Sequence, residues 1–208
     1  MTDAAARPGL VRRGLWLNYL TIGYNTIEAL VSLAAGLVAG SVALVGFGVD
    51  SAIEVTASLM AQWRLRSDLH PTRRERVERV THRVIGGSFV ALALYVTADS
   101  TITLWHREAP RPSLPGLAIL SLSVLVMPLL ARAKRRVAQA LNSRALEAEA
   151  MQTSVCAYLS VIALGGVALN TFFGWWWADP TAALLMVPLI TREGLEGLRG
   201  SACGDCCP

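Results

Sequence analysis

Asp50 and Glu54 stand four residues apart in an otherwise apolar stretch, GSVALVGFGVDSAIEVTASLMAQW, that runs from Gly40 to Trp63. A helix stacks residues i and i+4 on one face, about 6 Å apart along its axis. The stretch is long enough to cross a bilayer as a helix. An aspartate at the centre of such a helix costs about 2.5–3.5 kcal/mol to insert, and charges kept there mark ion or proton routes. Carboxylate oxygens suit hard divalent cations and also zinc, so the chemistry open to this pair is cation binding. The competing explanation is structural, with each carboxylate satisfied by the other or by a neighbouring helix. Gly46, Gly48, Ser51, Ala52 and Ala57 around the pair are small, which permits close helix approach and leaves room for an ion.

A second wall is available downstream. In EAEAMQTSVCAYLS the offsets of 3 and 4 put Glu149, Gln152 and Cys156 on one helix face within two turns. A lone buried cysteine is commonly an inert hydrophobe, but thiolate opposite carboxylates favours a zinc-like ion. Gln152 offers only a neutral carbonyl oxygen. The candidate metal ligands are therefore Asp50, Glu54 and Cys156, with Gln152 as a weak fourth. Glu147 reads as a favourable charge at a helix start. Asn25 and Glu28 on the first helix and Asp99 on the third either line the same route or bond across the bundle. Asp179, followed by Pro180, is predicted to cap the last helix. His70, His82 and His106 fall in or beside loops and are expected at the surface.

The elements that must hold these residues are transmembrane helices. Hydrophobic residues make up 53% of the 208 and charged residues only 16%, where a soluble domain carries about 25% charged. Periodicity and hydropathy predict six helices, roughly Gly14–Gly36, Ser41–Trp63, His82–Leu104, Leu114–Ala133, Glu147–Asn170 and Trp177–Leu195, an all-α membrane bundle. Seventeen of the nineteen Lys and Arg residues precede the first helix, separate the second from the third and the fourth from the fifth, or follow the sixth. Arg107 and Arg111 are the two exceptions. The positive-inside rule then places both termini in the cytoplasm, in the plasma (inner) membrane, which requires an even number of spans. The net charge of +4 is a topology signal and not a nucleic-acid stripe. The first apolar run is too long and polar for a cleaved signal peptide. Trp175, Trp176 and Trp177 read as an interfacial aromatic belt, and the spacing of Gly36 and Gly40 as a turn.

These residues resemble the transmembrane domain of the cation diffusion facilitator family, which exchanges divalent metals for protons. GLVAGSVALVGFGVDSAIEV is similar to the family's glycine–serine turn and second helix, SRALEAEAMQTSVCAYLS to its fifth helix, and WWWADPTAALLM to its sixth. Asp50 and Glu54 match the paired acidic positions, with Glu in place of the usual second Asp. Gln152 and Cys156 occupy the positions where members carry His and Asp. The resemblance implies a bundle of six transmembrane helices over residues 14–198, a cytoplasmic segment over 1–13, and a cytoplasmic tail over 199–208. The family's cytoplasmic metal-binding domain is expected to be missing. In its place CGDCCP holds Cys203, Cys206 and Cys207, which either bind soft metal or remain solvated and reduced.

The expected function is divalent transition-metal transport, zinc or a similar ion, out of the cytoplasm by proton exchange. The metal is cargo, and no cofactor is expected. Partners are the metal ion, protons, the lipid bilayer and, through the resemblance, a second copy of the chain in a homodimer. A rival is a non-transporting membrane protein that binds metal and modulates a partner. A thiol enzyme built on the tail is disfavoured, because no nucleophile–base constellation accompanies those cysteines.

Overall fold

A computed structural model describes residues 7–66, 71–141 and 144–199. These form six helices: α1 Arg7–Ala39, α2 Val42–Arg66, α3 Pro71–His106, α4 Leu114–Leu141, α5 Arg144–Phe173 and α6 Ala178–Arg199. The expected six-helix, all-α bundle is present. Among the described residues, five helices are long and apolar enough to cross a membrane. The sixth, α6, has 22 residues, or about 33 Å, which suffices for length. It is less apolar because it carries Asp179, Arg192, Glu193 and Glu196.

Several helices outrun the apolar segments that predict them. Arg73 to Arg79, expected in a loop, belong to α3, and Lys134 to Arg136, also expected in a loop, belong to α4. Hydropathy marks where the hydrocarbon ends. The backbone ladder continues into water wherever the residues favour helix, as Arg, Glu, Lys, Gln and Ala do. Pro71 opens α3 at the first helical position, where its missing N–H costs nothing.

The helices pack as a closed ring in the order α1, α2, α3, α6, α5, α4, and α2 also reaches across to α5 and α6. That makes α2 the most enclosed of the five spans: 61% of its apolar segment is buried, against 33–39% in the other four. Two contacts depend on the absence of a side chain. A Cβ on Gly36 would stand 2.8 Å from the amide nitrogen of Val45, so α1 and α2 meet almost backbone to backbone. One on Gly86 would stand 2.7 Å from the carbonyl oxygen of Gly194, which locks α3 against α6 in the same way.

The link between α1 and α2 is a turn at Gly40, whose φ of 68° suits glycine. Ser41 follows as the α2 cap, its Oγ accepting from the Leu44 amide at 3.1 Å. The same hydroxyl donates to Asp179 Oδ1 at 2.6 Å, and the Ala43 amide approaches Oδ2 at 3.5 Å. Asp179 thus caps α2, and not the helix it begins, because folding brings the two helix starts together. Trp175 and Trp177 stack at 5.4 Å and stay half-exposed beside it, while Trp105 is 85% exposed at the end of α3. Such placement fits an interfacial belt.

Asp179→Ala removes the acceptor that ties α6 to the start of α2. It is expected to destabilise the protein by about 1 kcal/mol, with Asp179→Asn losing less. Thermal unfolding in detergent checks this, and an unchanged midpoint in the alanine variant would show the tie to be idle.

Candidate cation site

The helix α1 is polar inside and apolar outside. Asn18, Thr21, Asn25, Glu28 and Ser32 recur at intervals of 3 and 4, and all are buried. Trp16, Leu20, Ile27, Leu30 and Leu37 face outward on the same helix. This is the reverse of a soluble amphipathic helix, since lipid solvates the apolar face and the bundle must solvate the polar one. The partner surface is α2, where Asp50, Ser51, Glu54, Ser58 and Gln62 are likewise buried. Two cross-links join the faces. Asn18 Nδ2 donates to Gln62 Oε1 at 2.8 Å and lies 3.3 Å from the Ser58 carbonyl. Further along, Ser51 Oγ donates to Glu28 Oε2 at 2.8 Å.

The third wall is α5. Cys156 is buried, with Sγ 4.0 Å from Glu28 Oε2, and Thr153 Oγ1 donates to Glu54 Oε1 at 2.8 Å. Asp50, Glu54 and Glu28 all act electrostatically on the Cys156 thiol. Asp50, buried on α2, is in turn acted on electrostatically by Glu54, Glu28 and Glu193. The structure therefore brings Asp50, Glu54 and Cys156 into one buried cluster and adds Glu28 from α1. Glu28 Oε1, Glu54 Oε2 and both amide atoms of Asn25 have no hydrogen-bond partner. Polar groups left open inside a bundle are costly, and a bound cation is one group that would satisfy the three oxygens among them. Among the described residues, no three His, Cys, Asp or Glu side chains converge closely enough to hold one ion as they stand. The cluster must tighten around any ion it takes.

Gln152 is half-buried, and the position facing Glu54 belongs to its neighbour Thr153. Thr153 lies four residues after Glu149 and three before Cys156, so the periodicity that selects those two selects it as well. Asp99 sits outside the cluster, accepting from the Tyr95 hydroxyl at 3.1 Å on its own helix. Glu147 is exposed in the first turn of α5, as a helix-start charge should be, and His106 is exposed. Cys203, Cys206, Cys207 and His70 lie outside the described residues, as does the side chain of His82.

Lys134 overturns the expectation of a solvated loop residue. It is fully buried in α4, with Nζ 3.6 Å from Glu149 Oε2 and 3.3 Å from Thr153 Oγ1. Its neighbours Arg132, Arg135 and Arg136 are exposed on the other faces of the helix.

Residues 19–202 match the family of cation efflux transmembrane domains, so the chain belongs to the cation efflux family. An uncharacterized transporter of Synechocystis is 26% identical over 190 residues, covering 88% of this chain and 59% of that protein. The magnetosome protein MamB of Magnetospira is 25% identical, covering 94% and 67%. An uncharacterized transporter of Methanocaldococcus jannaschii is 25% identical, covering 85% and 64%. The chain thus spans about three-fifths to two-thirds of the length of these relatives. With five helices apolar enough to cross a bilayer, family membership makes this an integral membrane protein.

Thr153→Val keeps the shape but strips a hydrogen bond from both Glu54 and Lys134. Leaving such groups short inside the bundle is expected to cost about 1–3 kcal/mol, and Thr153→Ser should recover most of it. Denaturant or thermal unfolding in detergent checks the pair. Equal stability of all three proteins would show that the hydroxyl bridges nothing.

Proposed function

We propose that this member of the cation efflux family carries a divalent transition-metal cation, zinc or a similar ion, out of the cytoplasm in exchange for protons. The observation that supports the reading is the meeting of Glu28, Asp50, Glu54 and Cys156 where the polar faces of α1, α2 and α5 converge. A divalent cation that leaves water for such a site needs anionic ligands to replace its hydration. Asp50 and Glu54 supply charge from α2, Glu28 from α1, and Cys156 a softer donor that favours zinc over manganese. Gln152, half-buried and neutral, is the weakest member of the set. Protons arriving from the opposite side compete for the same carboxylate oxygens, which couples their entry to metal release.

Alternating access follows from where the walls come from. The site is shared between the α1–α2 hairpin and α5, so rocking one against the other opens it to one side and then to the other. Both termini are assigned to the cytoplasm, and a homodimer is the expected assembly.

Zinc, cadmium and manganese uptake by the purified protein in liposomes, with and without a pH gradient, tests the function. Asp50→Asn and Glu54→Gln keep size and remove charge, so transport should fall by at least about tenfold, or 1.4 kcal/mol, while the protein still inserts. Cys156→Ser should weaken zinc and cadmium more than manganese. Wild-type rates in both charge-neutral variants would make the carboxylates structural. Binding without movement in the wild type would support the modulator reading.

Orientation is tested separately. On a background lacking the native cysteines, Pro112→Cys between α3 and α4 should react with an impermeant thiol reagent on intact cells. Gln139→Cys near the basic end of α4 should not. The reverse pattern would invert the topology.

A further inference from the structure

Among the residues whose side chains are described, Lys134 is the only Lys or Arg that is buried. The family reading does not account for it. It stands in a helix without a single acidic residue, and three arginines within two positions of it all turn outward. Its ammonium contacts Glu149 Oε2 at 3.6 Å and Thr153 Oγ1 at 3.3 Å. The Thr153 hydroxyl in turn donates to Glu54 Oε1 at 2.8 Å, a bond it shares with the Glu149 carbonyl at 3.0 Å. One hydroxyl therefore separates a buried cation from a carboxylate of the candidate site.

The position along the membrane sharpens this. α2 and α4 run in the same direction through the bundle. Glu54 lies twelve residues into α2, about 18 Å from its start, and Lys134 lies twenty residues into α4, about 30 Å from its start. Lys134 is thus rooted closer than Glu54 to the basic end of the bundle, and its side chain meets Thr153 on the way from that end to the carboxylates. Of the acidic groups, Glu149 contacts this base directly and Glu54 is reached through one hydroxyl.

We propose that Lys134 is a tethered counter-ion for the site: a positioning residue that holds Glu54 through Thr153 while the site is empty and opposes the bound metal, so that the ion can leave again. The inference rests on the transport reading above and adds a specific cost to binding. Two cations cannot both be close to Glu54 at low dielectric without mutual repulsion, so metal entry pushes the ammonium back onto Glu149 alone. A merely structural α4–α5 ion pair would have the opposite signature, because breaking it would loosen the site and weaken binding.

The test is zinc affinity by calorimetry in detergent, with transport in liposomes alongside. Lys134→Gln is expected to bind zinc about tenfold more tightly and to transport with a lower KM and a lower maximal rate, because release becomes slow. Lys134→Arg keeps the charge and should restore an affinity close to wild type. Glu149→Gln removes the retreat position without touching Lys134, and should weaken zinc binding by a similar factor. Should Lys134→Gln fail to fold, Lys134→Met, uncharged and close to lysine in shape, decides: zinc binding equal to or weaker than wild type there overturns the proposal, and so does unchanged or tighter binding by Glu149→Gln. So does zinc binding by folded Lys134→Gln that is equal to or weaker than wild type. Asp50→Asn separates the two readings. If it binds zinc as wild type does, the site reading itself fails. If it loses zinc while Lys134→Gln is unchanged, only the tethered counter-ion fails.

Discussion

Everything in this bundle turns on the need to keep carboxylates and amides company inside hydrocarbon. Lipid offers no hydrogen bonds, so each polar group at that depth must find a partner in the protein or remain open at considerable cost. The stripe on α1 from Asn18 to Ser32 and the stripe on α2 from Asp50 to Gln62 can only face each other. Glycine at positions 36 and 48 then lets the two backbones approach closely enough for Ser51 to reach Glu28 and Asn18 to reach Gln62. The position of α5 follows, with Thr153 and Cys156 closing the remaining side. The site is the place where these constraints intersect.

Much of the architecture is legible in the sequence because hydropathy and charge asymmetry report on the membrane itself. The six helices, the turn at Gly40 and the pairing of Asp50 with Glu54 follow from spacing alone. Three features do not. The basic ends of α3 and α4 read as loops because apolarity ends before helicity does. The burial of Lys134 is invisible because the residue lies among arginines that do face solvent, and only the rotation of α4 against α5 separates it from them. The role of Asp179 is misread because capping is assumed to be local, whereas its partner is Ser41, 138 positions away in sequence.

The α1 stripe was half legible. Asn25 and Glu28 draw attention as polar residues in an apolar run, while Asn18, Thr21 and Ser32 are mild enough to average away in any hydropathy window. Their common face appears only when intervals of 3 and 4 are counted for polar residues as they normally are for apolar ones. Thr153 is inconspicuous for the same reason, lying beside the longer and more polar Gln152.

The tight connection at Gly40 and Ser41 has a bearing on how the chain is made. A first helix bearing Asn25 and Glu28 on one face gains little from entering lipid alone, since nothing there can hydrogen-bond to that face. Only two residues separate the end of α1 from the start of α2. The complementary face therefore emerges from the ribosome directly behind the first and is delivered to the same side of it. A helical hairpin is the smallest unit of this protein that a translocon can release into the bilayer with its polar surface already covered.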